Sequence, residues 1–358
     1  MNNIDYKKNL RKLLSKSIEN NASDLHLSVN HFPILRVSGK LKRLREEKRL
    51  KAKDTKGLTK VLMNEFQLEK LKKEKEIDFS YNFENRARFR INTFYQSGNI
   101  SCALRRIPSN IKTIEELNLP PVLHRISKAN QGFFLVTGPS GHGKSTTLAA
   151  IIEEINHERT DHVITIEDPI EYVFEDDQSI IDQREINKDT FSFPKALRST
   201  FRQDPDVIMV GEMRDKETIS TAITAAETGH LVLATLHTNS ASQTIHRIVD
   251  TFPAEEQGQI RAQLSTALLG VISERLLPSK EGGLIPACEV LFGTSAVENL
   301  IRENKIHEIP LIIETSREVG MISLNTSLAR LVEEGQVTKK TALSYSIRPE
   351  ELRMLLED

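Results

Sequence analysis

Between residues 136 and 147 the chain reads VTGPSGHGKSTT, with Gly138, Gly143, Lys144 and Ser145 spaced as G-x-x-x-x-G-K-[ST]. Glycines at these intervals let the backbone curl until successive amide N–H groups converge on one point, where a following helix adds its positive dipole end. A polyphosphate suits such a cradle. Lys144 is positioned to reach its β- and γ-phosphates, and the Ser145 hydroxyl to hold the magnesium ion that bridges them. Gly138, Pro139, Ser140, Gly141, His142, Gly143, Lys144, Ser145 and Thr146 are therefore the expected nucleotide-binding residues, with His142 at a free position of the pattern.

Phosphate chemistry also needs carboxylates to orient water and complete the metal shell, and these belong at the carboxyl ends of neighbouring strands. Two apolar runs end in acids: VITIED closes on Glu167 and Asp168, and VIMVGE on Glu212, with Gly211 where an aspartate is usual. Glu167 is expected to position or deprotonate the attacking water and Glu212 to serve the metal, or the two roles are exchanged. A third run, TGHLVLATLHTNSA, is bracketed by His230 and His237. A polar group at the carboxyl end of a strand beside the phosphate turn can hydrogen-bond a γ-phosphate and report its loss.

The elements that must hold these residues follow from periodicity. Phe133 to Val136 form a buried strand before the glycine turn, and Leu148, Ile151, Ile152 and Ile155 mark a helix after it. Further on, VITIE (163–167), VIMVG (207–211) and LVLATL (231–236) alternate with helical stretches near 193–203, 215–227 and 240–250, which implies a parallel sheet covered by helices.

The first hundred residues have another texture. Leu10, Leu13, Leu14 and Ile18 share a helical face, residues 24–29 alternate as a strand, and so do Ile77, Phe79, Tyr81 and Phe83, then Ala87, Phe89 and Ile91. Residues 55–75 read as one solvated amphipathic helix. The economical assembly is a small antiparallel sheet with helices on one face. Its alternation turns Arg86, Arg88 and Arg90 away from the apolar face, with Arg105 on the next strand, either as a solvated surface or as groups reaching a phosphate. Prolines at both ends of IPSNIKTIEELNLPP (107–121) suggest a hinged linker.

Composition narrows the function. Lys and Arg total 49 against 50 Asp and Glu in 358 residues, a net charge of -1, which argues against nucleic acid as partner and so against a translocase acting on it. Two cysteines, Cys102 and Cys288, supply neither a zinc module nor a disulfide framework. No apolar run approaches a membrane span and no export signal opens the chain, so a cytoplasmic protein is expected.

The order GPSGHGKSTT, VITIEDPIEYVF, DPDVIMVGEMRD and TGHLVLATLHTNSA resembles the Walker A, Asp box, Walker B and His box of secretion ATPases. ASDLHLS (22–28), ARFRINTF (87–94), DTFPAEEQ (250–257) and GMISLNTSL (320–328) are similar to the type IV pilus retraction ATPases, the PilT-like branch. The resemblance implies an α/β protein with a PAS-like α+β domain (1–107), a linker (108–121) and a RecA-like P-loop ATPase domain with C-terminal helices (122–358). It further implies a homohexamer using ATP and Mg2+, peripheral at the inner-membrane base of the pilus and acting on the platform protein there. By motif alignment it places Arg90 and Arg105 near the nucleotide, Glu167 and Glu212 as the box carboxylates, and His230 and His237 in the His box. Assembly ATPases of the superfamily carry a four-cysteine zinc module, so its absence points to retraction. AVENLI (296–301) departs from the retraction-type AIRNLI by putting Glu298 in place of an arginine. That charge reversal raises the alternative of an accessory, weakly hydrolysing adaptor that supports a paralogous retraction motor.

Overall fold

The computed structural model describes residues 3–37, 39–84, 86–107 and 111–357. The chain forms two compact units, Met1–Asn110 with Pro169–Val173, and Ile111–Asp168 with Phe174–Asp358.

In the smaller unit, α1 (Asn3–Glu19) leads to β1 (Asp24–Leu27), β2 (Ile34–Val37) and β3 (Lys40–Arg43), then α2 (Ala52–Leu62), α3 (Glu65–Glu74), β4 (Glu76–Phe83), β5 (Ala87–Gln96) and β6 (Asn99–Ile107). The strands form one sheet in the order β3-β2-β1-β6-β5-β4, each pair antiparallel. The predicted alternation is realised: Ile77, Phe79, Phe83, Phe89 and Ile91 are buried against Leu10, Leu13 and Leu14 of α1 and Leu58 of α2. Each such large side chain contributes about 2 kcal/mol of apolar burial.

The single helix expected over 55–75 is two. The Asn64 side chain accepts the Gln67 N–H at 2.8 Å and the Gln67 side chain accepts the Asn64 N–H at 3.0 Å. This reciprocal cap starts a new helix where the apolar spacing alone would have continued the old one.

In the larger unit, α4 (His124–Ser127) precedes β7 (Gly132–Thr137), α5 (Lys144–Glu158), β8 (His162–Glu167), β9 (Ile180–Glu185), α6 (Phe193–Thr200), β10 (Val207–Val210) and α7 (Lys216–Glu227). Then come β11 (Leu231–Leu236), α8 (Ala241–Asp250), α9 (Ala254–Ala267), β12 (Leu268–Pro278) and β13 (Leu284–Phe292), followed by α10 (Ser295–Arg302), α11 (Ile309–Thr315), α12 (Leu324–Glu333), α13 (Lys339–Tyr345) and α14 (Pro349–Leu355). The sheet runs β13-β12-β7-β11-β10-β8-β9.

It is parallel except at β12 and β13, which pair antiparallel, so the wholly parallel sheet expected from the sequence is corrected to a mixed one. The hairpin forms because Gly282 and Gly283 take φ of 92° and 77° after Ser279, a backbone that side chains resist. β7, β10 and β11 are buried along nearly their whole lengths, the pattern of strands covered on both faces.

Of the expected linker, residues 108–110 lie outside the described residues. Beyond them Ile114 and Leu119 are buried in the larger unit's core, which anchors the stretch from Ile114 onward.

Candidate nucleotide site

Register decides what meets at the site. β7 runs parallel to β11 on one side and to β12 on the other, with Thr137 opposite Leu236 and Ser273. The turn that follows Thr137, the acid that ends β8, the acid just past β10 and the histidine just past β11 therefore emerge at one edge, the carboxyl ends of parallel strands.

The turn needs its glycines. Gly138, Gly141 and Gly143 take φ of 145°, 78° and 99°. A Cβ on Gly138 would stand 2.5 Å from the Glu274 carbonyl oxygen, a clash with backbone that cannot move aside. Gly143 is also the start of α5, which no side chain caps. Helix-start amides thus meet the turn, the arrangement that receives anions. Lys144 is nearly buried, and its ammonium donates to the carbonyls of Gly138 at 2.9 Å and Pro139 at 3.0 Å.

From Lys144 a chain of polar contacts crosses the strand ends. Its Nζ lies 3.3 Å from His237 Nδ1, and His237 Nε2 lies 3.3 Å from Glu212 Oε1. Arg214 donates to the other Glu212 oxygen at 2.6 Å. Burial pushes the Glu212 carboxyl up, but Arg214, His237 and Lys144 outweigh it and hold the group below its ordinary range, so it stays ionised. Burial and the Lys144 charge push the His237 imidazole down, and it is neutral at physiological pH. Thr235 fixes this corner by donating to the Gly211 carbonyl at 2.5 Å.

Glu167 is buried, 6% exposed, and its Oε1 accepts from Thr165 at 2.7 Å and from Gln183 at 3.2 Å. Gly211 explains itself here. A Cβ at this position would lie 3.1 Å from the Ile166 carbonyl oxygen, tighter than ordinary contact, and 3.4 Å from Glu167 Cα, so the missing aspartate of the usual pattern is clearance for the end of β8, where Glu167 sits. Gly211→Ala is expected to displace Glu167 by a few tenths of an ångström and to lower kcat about tenfold at unchanged fold stability. Steady-state turnover with a matched thermal unfolding curve checks this.

Not every residue predicted for the site reaches that edge. His230 lies at the amino end of β11, a strand's length from the turn, where its Nδ1 meets the Ala225 carbonyl at 2.9 Å and its ring meets Phe201 edge to face. Arg90 and Arg105 belong to the smaller unit, directly opposite each other on β5 and β6. Like charges so placed repel, and each is paired with an acid: Arg90 donates to Glu171 at 2.9 Å and Arg105 to Asp24 at 2.9 Å. Sequence reading missed Thr165, Gln183, Arg214 and Thr235, whose residue types carry no distinguishing pattern. It also missed Glu274, which an acid inside the apolar run LLGVISERLL could have signalled.

A glycine-lysine turn after an inner parallel strand, with carboxylates at the tips of neighbouring strands, defines a P-loop nucleotide-binding protein. The family model for type II/IV secretion system proteins matches residues 4–338, and the chain belongs to that family. It is 45% identical over 341 residues to the type IV pilus retraction ATPase PilT of Pseudomonas aeruginosa, covering 95% of this chain and 99% of that one. To the type IV pilus ATPase PilU of the same organism it is 38% identical, covering 97% and 91%. The crystal structure of the pilus retraction motor PilT with bound ADP superposes with a TM-score of 0.90 at 45% identity, over 96% of this chain and 98% of that one.

Proposed function

We infer that the protein is an ATP-hydrolysing motor that powers type IV pilus retraction. The observation that carries the reading is the full-length likeness to a retraction ATPase in a chain whose own turn, acids and histidine converge at one sheet edge. In this reading residues 1–107 form a PAS-like domain, 108–121 a linker and 122–358 a RecA-like domain. Six copies form a ring at the inner-membrane base of the pilus and act on the platform protein there. In this reading attachment there is peripheral; among the described residues no helix is long and apolar enough to cross a membrane.

Each residue has a task. The amides of the 138–146 turn and the Lys144 ammonium bind the β- and γ-phosphates. Ser145 and the ionised Glu212 are oxygen donors suited to magnesium, which when bound neutralises charge on the phosphates. Glu167, held by Thr165 and Gln183, orients the attacking water and takes its proton. His237 joins Lys144 to Glu212 and so registers loss of the γ-phosphate. Arg90 and Arg105 exchange their acids for phosphate oxygens.

Glu298, the ground for the accessory adaptor, sits in the first turn of α10. A carboxylate there stabilises the helix by about 0.3–1 kcal/mol, which accounts for the residue without a change of function. The test is direct: the purified protein turns over ATP as a hexamer, and deletion of its gene leaves cells with excess pili that do not retract. A monomer without turnover, or retraction undiminished on deletion, overturns the reading.

A further inference from the structure

Below the phosphate turn lies a buried acid that the reaction as described does not use. Glu274 of β12 is 1% exposed, in the register position after Ser273, which faces Thr137, the last residue before the turn. Three contacts join residues 274–276 to the turn and its helix. The Glu274 carbonyl oxygen closes on Gly138, where a Cβ would be only 2.5 Å away. Thr147, in the first turn of α5, donates its hydroxyl to Glu274 Oε1 at 2.6 Å. At the tip, the Leu276 N–H donates to His142 Nδ1 at 2.9 Å, which gives the imidazole its neutral Nε2–H tautomer and a role for the residue the motif leaves free.

We propose that Glu274 is a positioning residue for the phosphate-binding turn, fixing the start of α5 through Thr147 so that the helix-start amides and Lys144 face the polyphosphate. The inference rests on the reading of this turn as the nucleotide site. A buried hydroxyl bonded to a buried carboxyl is rigid because neither partner finds water as a substitute. The brace therefore sets where α5 begins. His142, just before that start, is held to β12 in the same way.

The charge state of Glu274 gives the proposal a signature. Burial raises its carboxyl to about 8, against the opposing pull of the Thr147 hydrogen bond and the Lys144 charge. From α5 it is faced by Lys144, and from β13 by Cys288, its cross-strand partner, whose thiol burial and the nearby Glu274 charge push well above its ordinary value. The unfolded chain ionises this acid near the ordinary carboxylate value and the folded chain holds the proton to about 8, so its cost to folding builds between those values and is constant above; ionisation above about 8 leaves the Thr147 bond in place but puts a negative charge beneath the phosphate turn and draws the Lys144 ammonium toward it.

The experiment measures ADP affinity, in the presence of magnesium, by calorimetry between pH 7 and 9.5 on the full chain. The wild type is expected to weaken as pH rises through the Glu274 transition. Glu274→Gln, which keeps the shape and an oxygen to accept from Thr147, is expected to bind as the wild type does at pH 7 and to lose that pH dependence. Glu274→Ala, lacking the acceptor, is expected to bind about tenfold more weakly at pH 7, the ratio that one lost buried hydrogen bond corresponds to. A Gln variant that keeps the wild-type alkaline limb, or that loses affinity at pH 7 while folded, overturns the proposal even if the Ala variant does not fold. A wild type that binds no ADP overturns the nucleotide-site reading and the proposal with it.

Discussion

Replacing Glu167 by Gln lowers kcat for ATP by about 10²–10⁴-fold, the range that a positioned general base supplies, and leaves nucleotide affinity near the wild-type value. The geometry separates the two effects. Thr165 and Gln183 both donate to Glu167 Oε1, and the amide oxygen of a glutamine accepts both bonds in the same place. Fold and local shape therefore survive. What is lost is the second carboxylate oxygen, the means of taking a proton from water. Loss of nucleotide binding is not expected, because in the proposed function the phosphates are gripped by the 138–146 turn and Lys144. Steady-state turnover and ADP calorimetry on the same preparation decide it. Turnover within threefold of the wild type removes Glu167 from the reaction and passes the role to Glu212, whose carboxylate is ionised.

Much of this site was legible from spacing because its parts are strand ends. An apolar run that stops at an acid, a histidine or a glycine turn states both the strand and its functional tip, and parallel pairing then brings tips together without further information. Lys144, Glu167, Glu212 and His237 were readable for that reason. His230 lies apart from the turn of its own chain: the residues at the two ends of a strand look alike in sequence while lying at opposite edges of the sheet. Gly211 looked like a defect in the motif, and only the 3.1 Å from its would-be Cβ to the Ile166 carbonyl oxygen shows it as clearance. β12 and β13 went unread because LLGVISERLL and LIPACEVLF mix helical and strand spacing and carry a charge inside the run. Tertiary partners settle such segments: Glu274 is tolerable in a strand only because Thr147 and the helix start meet it there.

Replacing Lys144 by Ala is expected to leave a folded protein that hydrolyses almost nothing. In the proposed function the ammonium makes charge-assisted bonds with phosphate oxygens, and removing one such donor at developing charge is expected to cost about 10²–10³-fold in kcat, with ADP affinity falling roughly tenfold or more. Stability changes little because two effects oppose each other. The Gly138 and Pro139 carbonyls lose a donor each, while a nearly buried cation no longer has to be desolvated. The variant also carries a readout independent of turnover. The Lys144 charge is, after burial, the main influence holding the His237 imidazole down, and Glu212 pulls it up. With the ammonium gone, His237 is expected to titrate at higher pH than in the wild type, measurable by NMR of the ring protons. A His237 titration that does not move separates Lys144 from the Glu212 corner and breaks the coupling through which loss of the γ-phosphate reaches that strand end. A shifted titration in an inactive, folded variant establishes that the same charge binds phosphate and sets the state of the histidine that reports it.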